Sequence, residues 1–391
     1  MKAVKISEGV YWVGVKDWNK RVFDALIPLP HGTSYNAYLV IGSEKTALID
    51  TVNPGFENEL GEKINGVKGI GEIDYMVMNH AEPDHSGAIP YLLERNEKAV
   101  LVATKKGADI ARAYYDVPED RVMVVKDGDE VSLGGKTLRF IEAPWLHWPE
   151  TMFTYLVEDK ILFTCDFFGA HLAGGFYDSD VPDIMTHAQR YFGEIMMPFS
   201  AMARKALQKI GELEIEMIAP SHGPIYRNPE RIIETYGRWS SGETREKVLI
   251  AYVSMYGTNE RIVKELAARL TAEGIEVVVY NLVNSDIGEI AKDLVDSRAI
   301  VLAAPTVLGG AHPLAVHAAY LVKALRPPAR YALIVGSHGW HGRSNEALLE
   351  VLKGLNLELL GTLDVHARPG ADDYNKLLRL TNLLINKVRE G

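Results

Sequence analysis

Along the first 240 residues the apolar positions come in short runs. Val10 to Val15, Tyr35 to Ile41 and Thr46 to Thr51 have the length and β-branched character of strands, with His31-Gly32-Thr33 and Asn53-Pro54-Gly55 as turn signals around them. Ile73 to Asn79 predicts a further buried strand, and Ala88 to Arg95 a helix. Val100 to Thr104, a helix near Lys106 to Tyr115, and Arg121 to Lys126 continue the alternation. Val131 to Phe140 predicts a hairpin turning at Gly134-Gly135, and Met152 to Val157 with Ile161 to Thr164 a second one across Glu158-Asp159-Lys160.

From Gly237 to Lys247 the chain turns small, polar and charged, which predicts a linker. Beyond it the pattern becomes a strand-helix alternation. Strands are expected at Val248 to Val253, Val277 to Tyr280, Ala299 to Ala304, Tyr331 to Val335 and Glu358 to Val365. Helices are expected near Glu260 to Glu273, Ile287 to Leu294, Leu314 to Leu325, Asn345 to Gly354 and Asp372 to Arg389. Five strands separated by helices fit a doubly wound parallel sheet covered on both faces. The expected domains are therefore 1–240 and 248–391, with 241–247 ending the linker.

Length supports two domains, because 391 residues exceed the usual ceiling for a single core. A hydrophobic fraction of 47% with 24% charged residues is that of an ordinary soluble protein. There is no uninterrupted apolar run of about 18 residues, so no membrane span is implied. Met1 to Glu8 lacks the apolar core of a signal peptide, which makes the cytoplasm the expected address. A formal net charge of -10 argues against nonspecific nucleic-acid binding, which depends on Lys and Arg neutralising phosphates. The single cysteine, Cys165, excludes an intramolecular disulfide and a four-cysteine iron site within these residues, and is expected to be a buried packing residue.

The chemistry concentrates in His80-Ala81-Glu82-Pro83-Asp84-His85, four metal-competent side chains in six residues behind a predicted strand. By itself the hexapeptide fits either a solvated loop or a metal centre. His147, Asp166 and His222 each follow or end another strand-like run, and that recurrence favours the metal centre. His171 and Tyr191 fall after the second hairpin, as wall or proton-relay candidates or as ordinary packed neighbours; His31 and His187 are weaker candidates.

In the second half, three loops stand at the carboxyl ends of strands, where such sheets bind ligands. Ser254-Met255-Tyr256-Gly257-Thr258-Asn259 brings hydroxyls and free N–H groups to a helix N-terminus, which favours a phosphate. Pro305-Thr306-Val307-Leu308-Gly309-Gly310 and Ser337-His338-Gly339-Trp340 add glycines that let backbone approach a planar ring, and an indole to stack on it or to pack in the core.

His-x-Glu-x-Asp-His followed by a lone His, a lone Asp and Ser221-His222-Gly223 resembles the metallo-β-lactamase-like domain of the flavodiiron proteins, or A-type flavoproteins. The three later loops are similar to the FMN site of flavodoxins, with Asn259 where Thr is usual. The resemblance covers nearly the whole chain. It implies an N-terminal metallo-β-lactamase-like αββα sandwich followed by a C-terminal flavodoxin-like five-stranded domain. Carried over, one iron falls to His80, Glu82 and His147, the second to Asp84, His85 and His222, and Asp166 bridges them. Hydrolases of that superfamily carry His at the second motif position; Glu82 there makes the pocket harder and better suited to iron than to zinc.

What the resemblance implies is an oxidoreductase with two irons and one FMN per chain, reducing dioxygen to water, nitric oxide to nitrous oxide, or both. Electrons would come from an external donor, a rubredoxin-like protein or reduced F420. A head-to-tail homodimer is implied, with pairing into a tetramer as a further option. Two other readings stand beside it: a zinc-dependent hydrolase fused to a flavodoxin-like domain, and a non-catalytic redox sensor or electron carrier.

Overall fold

The computed structural model describes residues 2–390. The chain divides into two compact units, one running to Tyr191 and resuming over Phe199–Gly237, the other made of Phe192–Pro198 and the chain from Arg238 onward.

The first unit holds two main sheets. The larger has the strand order Val4–Ser7, Val10–Trp12, Tyr38–Ile41, Thr46–Ile49, Tyr75–Val77, Val100–Thr104, Val122–Val125, antiparallel as far as Thr46–Ile49 and parallel from there. The smaller runs Glu130–Ser132, Thr137–Glu142, Met152–Leu156, Ile161–Cys165, Met217–Pro220. Side chains on a strand alternate between faces, and the core follows that period. Leu39, Leu48, Met76 and Leu101 point to one apolar cluster with Leu60, Ile64, Ile89 and Leu92 from helices. Their neighbours Val40, Ala47, Val77 and Val102 point to the other, together with Phe140, Leu156 and Phe163 of the smaller sheet. The second cluster is thus the filling between two sheets. Behind the smaller sheet Phe153 stacks on Phe167, which meets Tyr236 of the helix Pro229–Ser241 edge-on.

The second unit is a parallel sheet in the order Glu276–Asn281, Arg245–Tyr252, Ser297–Val307, Tyr331–His338, Glu358–His366, with Gly310–Ala311 hairpinned against the third strand in sequence. The order second, first, third, fourth, fifth is that of the flavodoxin-like doubly wound fold. Val248, Ile250, Val301, Leu333 and Val335 pack against Ile262, Leu266, Leu377 and Leu384 of two covering helices.

The stretch 237–247 differs from the expected linker. Its first part ends the helix Pro229–Ser241, its last part opens the strand Arg245–Tyr252, and only Gly242-Glu243-Thr244 lie between them. The polar residues there are strand residues with partners: Arg245 reaches Glu276 at 2.6 Å, and the buried Lys247 ammonium sits between Asp293 and Asp296 at 2.6 and 2.8 Å. Nor does the hydrophobic pattern locate the helices Glu57–Asn65, Ile184–Tyr191 and Ser200–Ile210. Among the described residues no helix is long and apolar enough to cross a membrane.

Candidate metal centre and flavin pocket

The hexapeptide is anchored from below. Asp50 accepts from the backbone N–H of Asn79 at 2.8 Å and from its side-chain amide at 3.1 Å, fixing the residue before His80. Burial pushes the Asp50 carboxyl up to about 6, although His85 and the Asn79 bonds favour its charged form. After His80 the chain closes into the short helix Pro83–Ser86. Pro83 stands at a position that needs no amide donor. The Ser86 hydroxyl bonds the Ala81 and Glu82 carbonyls at 2.8 Å, and Thr51 holds the His85 carbonyl through its N–H at 2.6 Å and its hydroxyl at 2.8 Å. Gly87 must be glycine: a Cβ there would lie 2.5 Å from both the Pro83 oxygen and Pro54 Cδ.

That turn sends Glu82 to one side and Asp84 with His85 to the other. His80, Glu82, His147 and Asp166 form one group whose ligand atoms all lie within 4.8 Å of one another, and Asp84, His85 and His222 form a second. Asp166 stands between them. Its Oδ2 faces His80 Nε2 at 3.4 Å and His147 Nε2 at 3.3 Å, while its Oδ1 faces His85 Nε2 at 3.0 Å and His222 Nε2 at 3.4 Å. Glu82 Oε2 meets His147 Nε2 at 3.1 Å, and Asp84 Oδ2 meets His222 Nε2 at 3.2 Å. All seven residues expected to be ligands therefore converge.

Further residues orient them. Glu150 Oε1 lies 2.7 Å from His80 Nδ1 and accepts from the Ala81 N–H at 3.0 Å. His222 Nδ1 lies 2.7 Å from the Ser34 carbonyl. The Ser221-His222 loop is held by Asn36, whose amide donates to the Pro220 and Gly223 carbonyls at 2.8 and 2.9 Å. The Tyr191 hydroxyl donates to Asp166 Oδ1 at 3.0 Å, and His171 lies with its ring 5.0 Å from that of His222. Sequence reasoning misses Glu150, Asp50, Ser34 and Thr33; only Glu150 has a local signal, three residues after His147. His31 and His187 contact each other edge-on at 5.0 Å. Cys165 is buried, as expected of a packing residue, and lies close enough to His85 and Asp166 to form a third set of ligand atoms.

The electrostatics favour cations. Burial lowers the proton affinity of His80 and His147, but Glu82, Asp166 and, for His80, Glu150 outweigh it and bring both to about 10. His85 is raised to about 9 against its own burial by Asp84 and Asp166. Against burial, His85 and His147 hold the Asp166 carboxyl well below its usual range, and His147 with His80 does so for Glu82. Asp84 Oδ1 and Asp166 Oδ2 are buried without a well-directed hydrogen bond. Three carboxylates packed among imidazoles, with buried oxygens left unsatisfied, fit a pair of divalent ions; hard oxygens mixed with imidazole suit iron.

In the second unit, a cavity of about 590 Å³ opens at the carboxyl ends of the strands. Ser254, Met255, Tyr256, Thr258, Pro305, Thr306, Val307, Leu308, Gly309, Ser337, His338, Gly339 and Trp340 line it as expected, joined by Arg261, His341, Ala367 and Arg368. The volume suits a cofactor, and the Ser254 hydroxyl, buried without a protein partner, fits a phosphate contact. Trp340 is 93% exposed, so the indole is a pocket wall and not a core residue. Three expected contacts do not line the cavity. Gly257 adopts φ 85, which shapes the turn; Gly310 lies beyond it. Asn259 is fully buried and turns its amide back to the Val253 carbonyl at 3.0 Å, tying loop to strand. The Thr306 hydroxyl is already engaged, accepting from the N–H groups of Arg343 and Ser344 at 3.0 and 3.2 Å.

A family model described as "ODP family beta lactamase" matches residues 33–223. The chain is 40% identical over 364 residues to a nitric oxide reductase of Moorella thermoacetica, covering 91% of each chain. It is 36% identical to a coenzyme F420H(2) oxidase of Methanothermobacter marburgensis, covering 99% of each. Among solved structures it is similar to the rubredoxin oxygen:oxidoreductase of Desulfovibrio gigas, with a TM-score of 0.95 at 30% identity over 99% of each chain. The flavodiiron protein of Giardia intestinalis gives 0.94 at 30% identity, over 100% of this chain and 97% of that one.

Proposed function

The chain belongs to the flavodiiron protein family, and on that premise we propose that it reduces dioxygen to water, nitric oxide to nitrous oxide, or both. The observation that carries the reading is Asp166, one carboxylate with an oxygen turned to each of two ligand groups. His80, Glu82 and His147 would hold one iron, and Asp84, His85 and His222 the other. When bound, the iron pair supplies redox-active positions for a small gas and FMN passes on electrons from a donor.

The chain's own residues prepare that chemistry. Glu150 and the Ser34 carbonyl hold His80 and His222 by their Nδ1 atoms, so each Nε2 is presented to the centre. Tyr191, whose phenol stays protonated because burial and Asp166 raise its proton affinity well above the ordinary value, keeps a proton beside Asp166. In the second unit the cavity lined by Ser254, Thr258 and Trp340 would hold FMN, with its phosphate at the N-terminus of the helix Thr258–Ala272.

The electron donor we propose lies outside these residues, within which one cysteine cannot build a rubredoxin-type site; a rubredoxin-like protein and reduced F420 are the two candidates. The assembly we propose is a head-to-tail homodimer. Exposed Trp18 and Trp145 on the first unit, and Met255, Tyr256, Leu308 and Trp340 around the cavity of the second, are the apolar surface it would cover.

The deciding experiment is metal and flavin content per chain with gas consumption on the same sample. About two irons and one FMN, with steady uptake of oxygen or nitric oxide, are expected, and Asp166→Ala abolishes uptake. Zinc that persists after iron reconstitution, with no gas consumed, would instead favour a hydrolase.

A further inference from the structure

Thr33, His171 and His222 form a buried chain of three side chains whose proton positions follow from their partners. His222 Nδ1 lies 2.7 Å from the Ser34 carbonyl, which can only accept, so that nitrogen carries the proton. The same Nδ1 lies 3.2 Å from Thr33 Oγ1, where it meets a hydroxyl lone pair. The Thr33 hydroxyl hydrogen is thereby free for a different acceptor. His171 Nδ1 is 3.1 Å away, while the Ser34 carbonyl, already engaged by His222, is 3.5 Å away. His171 therefore accepts at Nδ1.

A neutral imidazole that accepts at one nitrogen carries its proton on the other. His171 is neutral because its Nδ1, 3.1 Å from the Thr33 hydroxyl, accepts and so bears no proton. Its Nε2 then bears a hydrogen, and that nitrogen is buried without a protein partner. Such orphan donors are unfavourable and uncommon. The ring stands 4.9 Å from Tyr191 and 5.0 Å from His222, against the second ligand group, with Phe23 at 4.7 Å on its other contact.

We propose that Thr33 is a positioning residue that locks His171 in the Nε2–H tautomer, so that His171 offers a fixed hydrogen-bond donor to a small oxygen-bearing occupant beside the metal centre, water at rest and substrate in turnover. Only the identity of the occupant in turnover rests on the oxidoreductase reading. His171 donates a hydrogen bond here and loses no proton.

The test is nitrogen-detected NMR of the zinc-loaded full chain with ¹⁵N-labelled histidine. His171 is expected to show a protonated Nε2, a bare Nδ1 and a cross-peak from the Nε2 hydrogen to a long-lived water. Thr33→Val should shift it toward the Nδ1–H tautomer, and Thr33→Ser should restore the wild-type pattern. In the iron-loaded enzyme Thr33→Val and His171→Leu should each lower kcat about 10-fold, with KM for the donor unchanged and metal content full; Thr33→Ser and His171→Gln should recover most of it. A protonated Nδ1 in the wild type, a tautomer unmoved by Thr33→Val, or an Nε2 hydrogen with no water contact overturns the proposal. Absence of gas consumption by the wild type would sink the oxidoreductase reading alone, because the spectra decide the tautomer and the water contact without turnover.

Discussion

Tyr191 and Asp166 are joined by a 3.0 Å hydrogen bond from phenol to Oδ1, and both side chains are almost fully buried. The bond loads one of the two oxygens that face the ligand groups and leaves the other to His80 and His147. Tyr191→Phe keeps the packing and removes only the donor. Turnover should fall about 10-fold, the effect of one buried hydrogen bond to a charged acceptor, with iron and FMN content unchanged. Gas-uptake rates beside elemental analysis would check this, and lost iron would make Tyr191 a determinant of metal binding instead.

Glu150 is placed to act through His80 on a metal bound there. Its carboxylate meets His80 Nδ1 at 2.7 Å, and against its own burial His80 holds it below the usual range. Glu150→Gln should weaken metal binding by about 10- to 100-fold, the range for lost partners of ligating histidines. Competition with a chelator measures it, and equal retention of iron in variant and wild type would remove Glu150 from the site.

Proton linkage should separate metal-free from metal-loaded protein. In the metal-free chain His80 and His147 are raised to about 10 and His85 to about 9, against about 6.5 in an unfolded chain. Because the folded values are the higher ones, the stabilisation is complete below about pH 6.5 and lost as pH rises through 9 to 10. Metal loading must displace these protons, so it should release acid and strengthen with rising pH. Denaturation of the metal-free chain at pH 7 and near pH 10 should differ by a few kcal/mol on the order expected for such shifts, with a much smaller difference once loaded. Equal pH dependence in both forms would contradict the charge distribution around Asp166.

Gly223 follows His222 with φ 80, and a Cβ there would stand 2.7 Å from the Ala170 carbonyl. Gly223→Ala combines left-handed strain with a backbone clash, and should destabilise by about 1–3 kcal/mol while weakening the second metal position. Thermal unfolding with metal content reads both; an unchanged Tm would mean that the loop relaxes freely.

The Ser254 hydroxyl is buried and unpaired at the cavity wall. Ser254→Ala should weaken FMN binding about 10-fold, as for one hydrogen bond to a charged group, and titration of flavin fluorescence would measure it. Undiminished affinity would move the phosphate away from this loop.

Much of this was legible in the sequence because strand and helix periods are local. Every strand expected beyond Val248 is present, extended by a few residues at most, and each run of ligand candidates stands at or near the end of a strand. The signal fails where polarity misleads: Arg245 and Lys247 look like linker residues, yet their charges are neutralised by Glu276, Asp293 and Asp296, far away in the chain. It fails too for Phe192–Pro198, whose place in the second unit depends on Gly193 lying against Ala291, where a Cβ would be 2.4 Å from the carbonyl oxygen. By itself the sequence determined the types and spacing of the seven ligand candidates and the three loops of the flavin pocket, because those are properties of neighbouring residues. Only the tertiary structure decided that Asp166 divides its oxygens between two groups and that Thr33 stands within reach of both His171 and His222, because each depends on atoms brought together from segments distant in the chain.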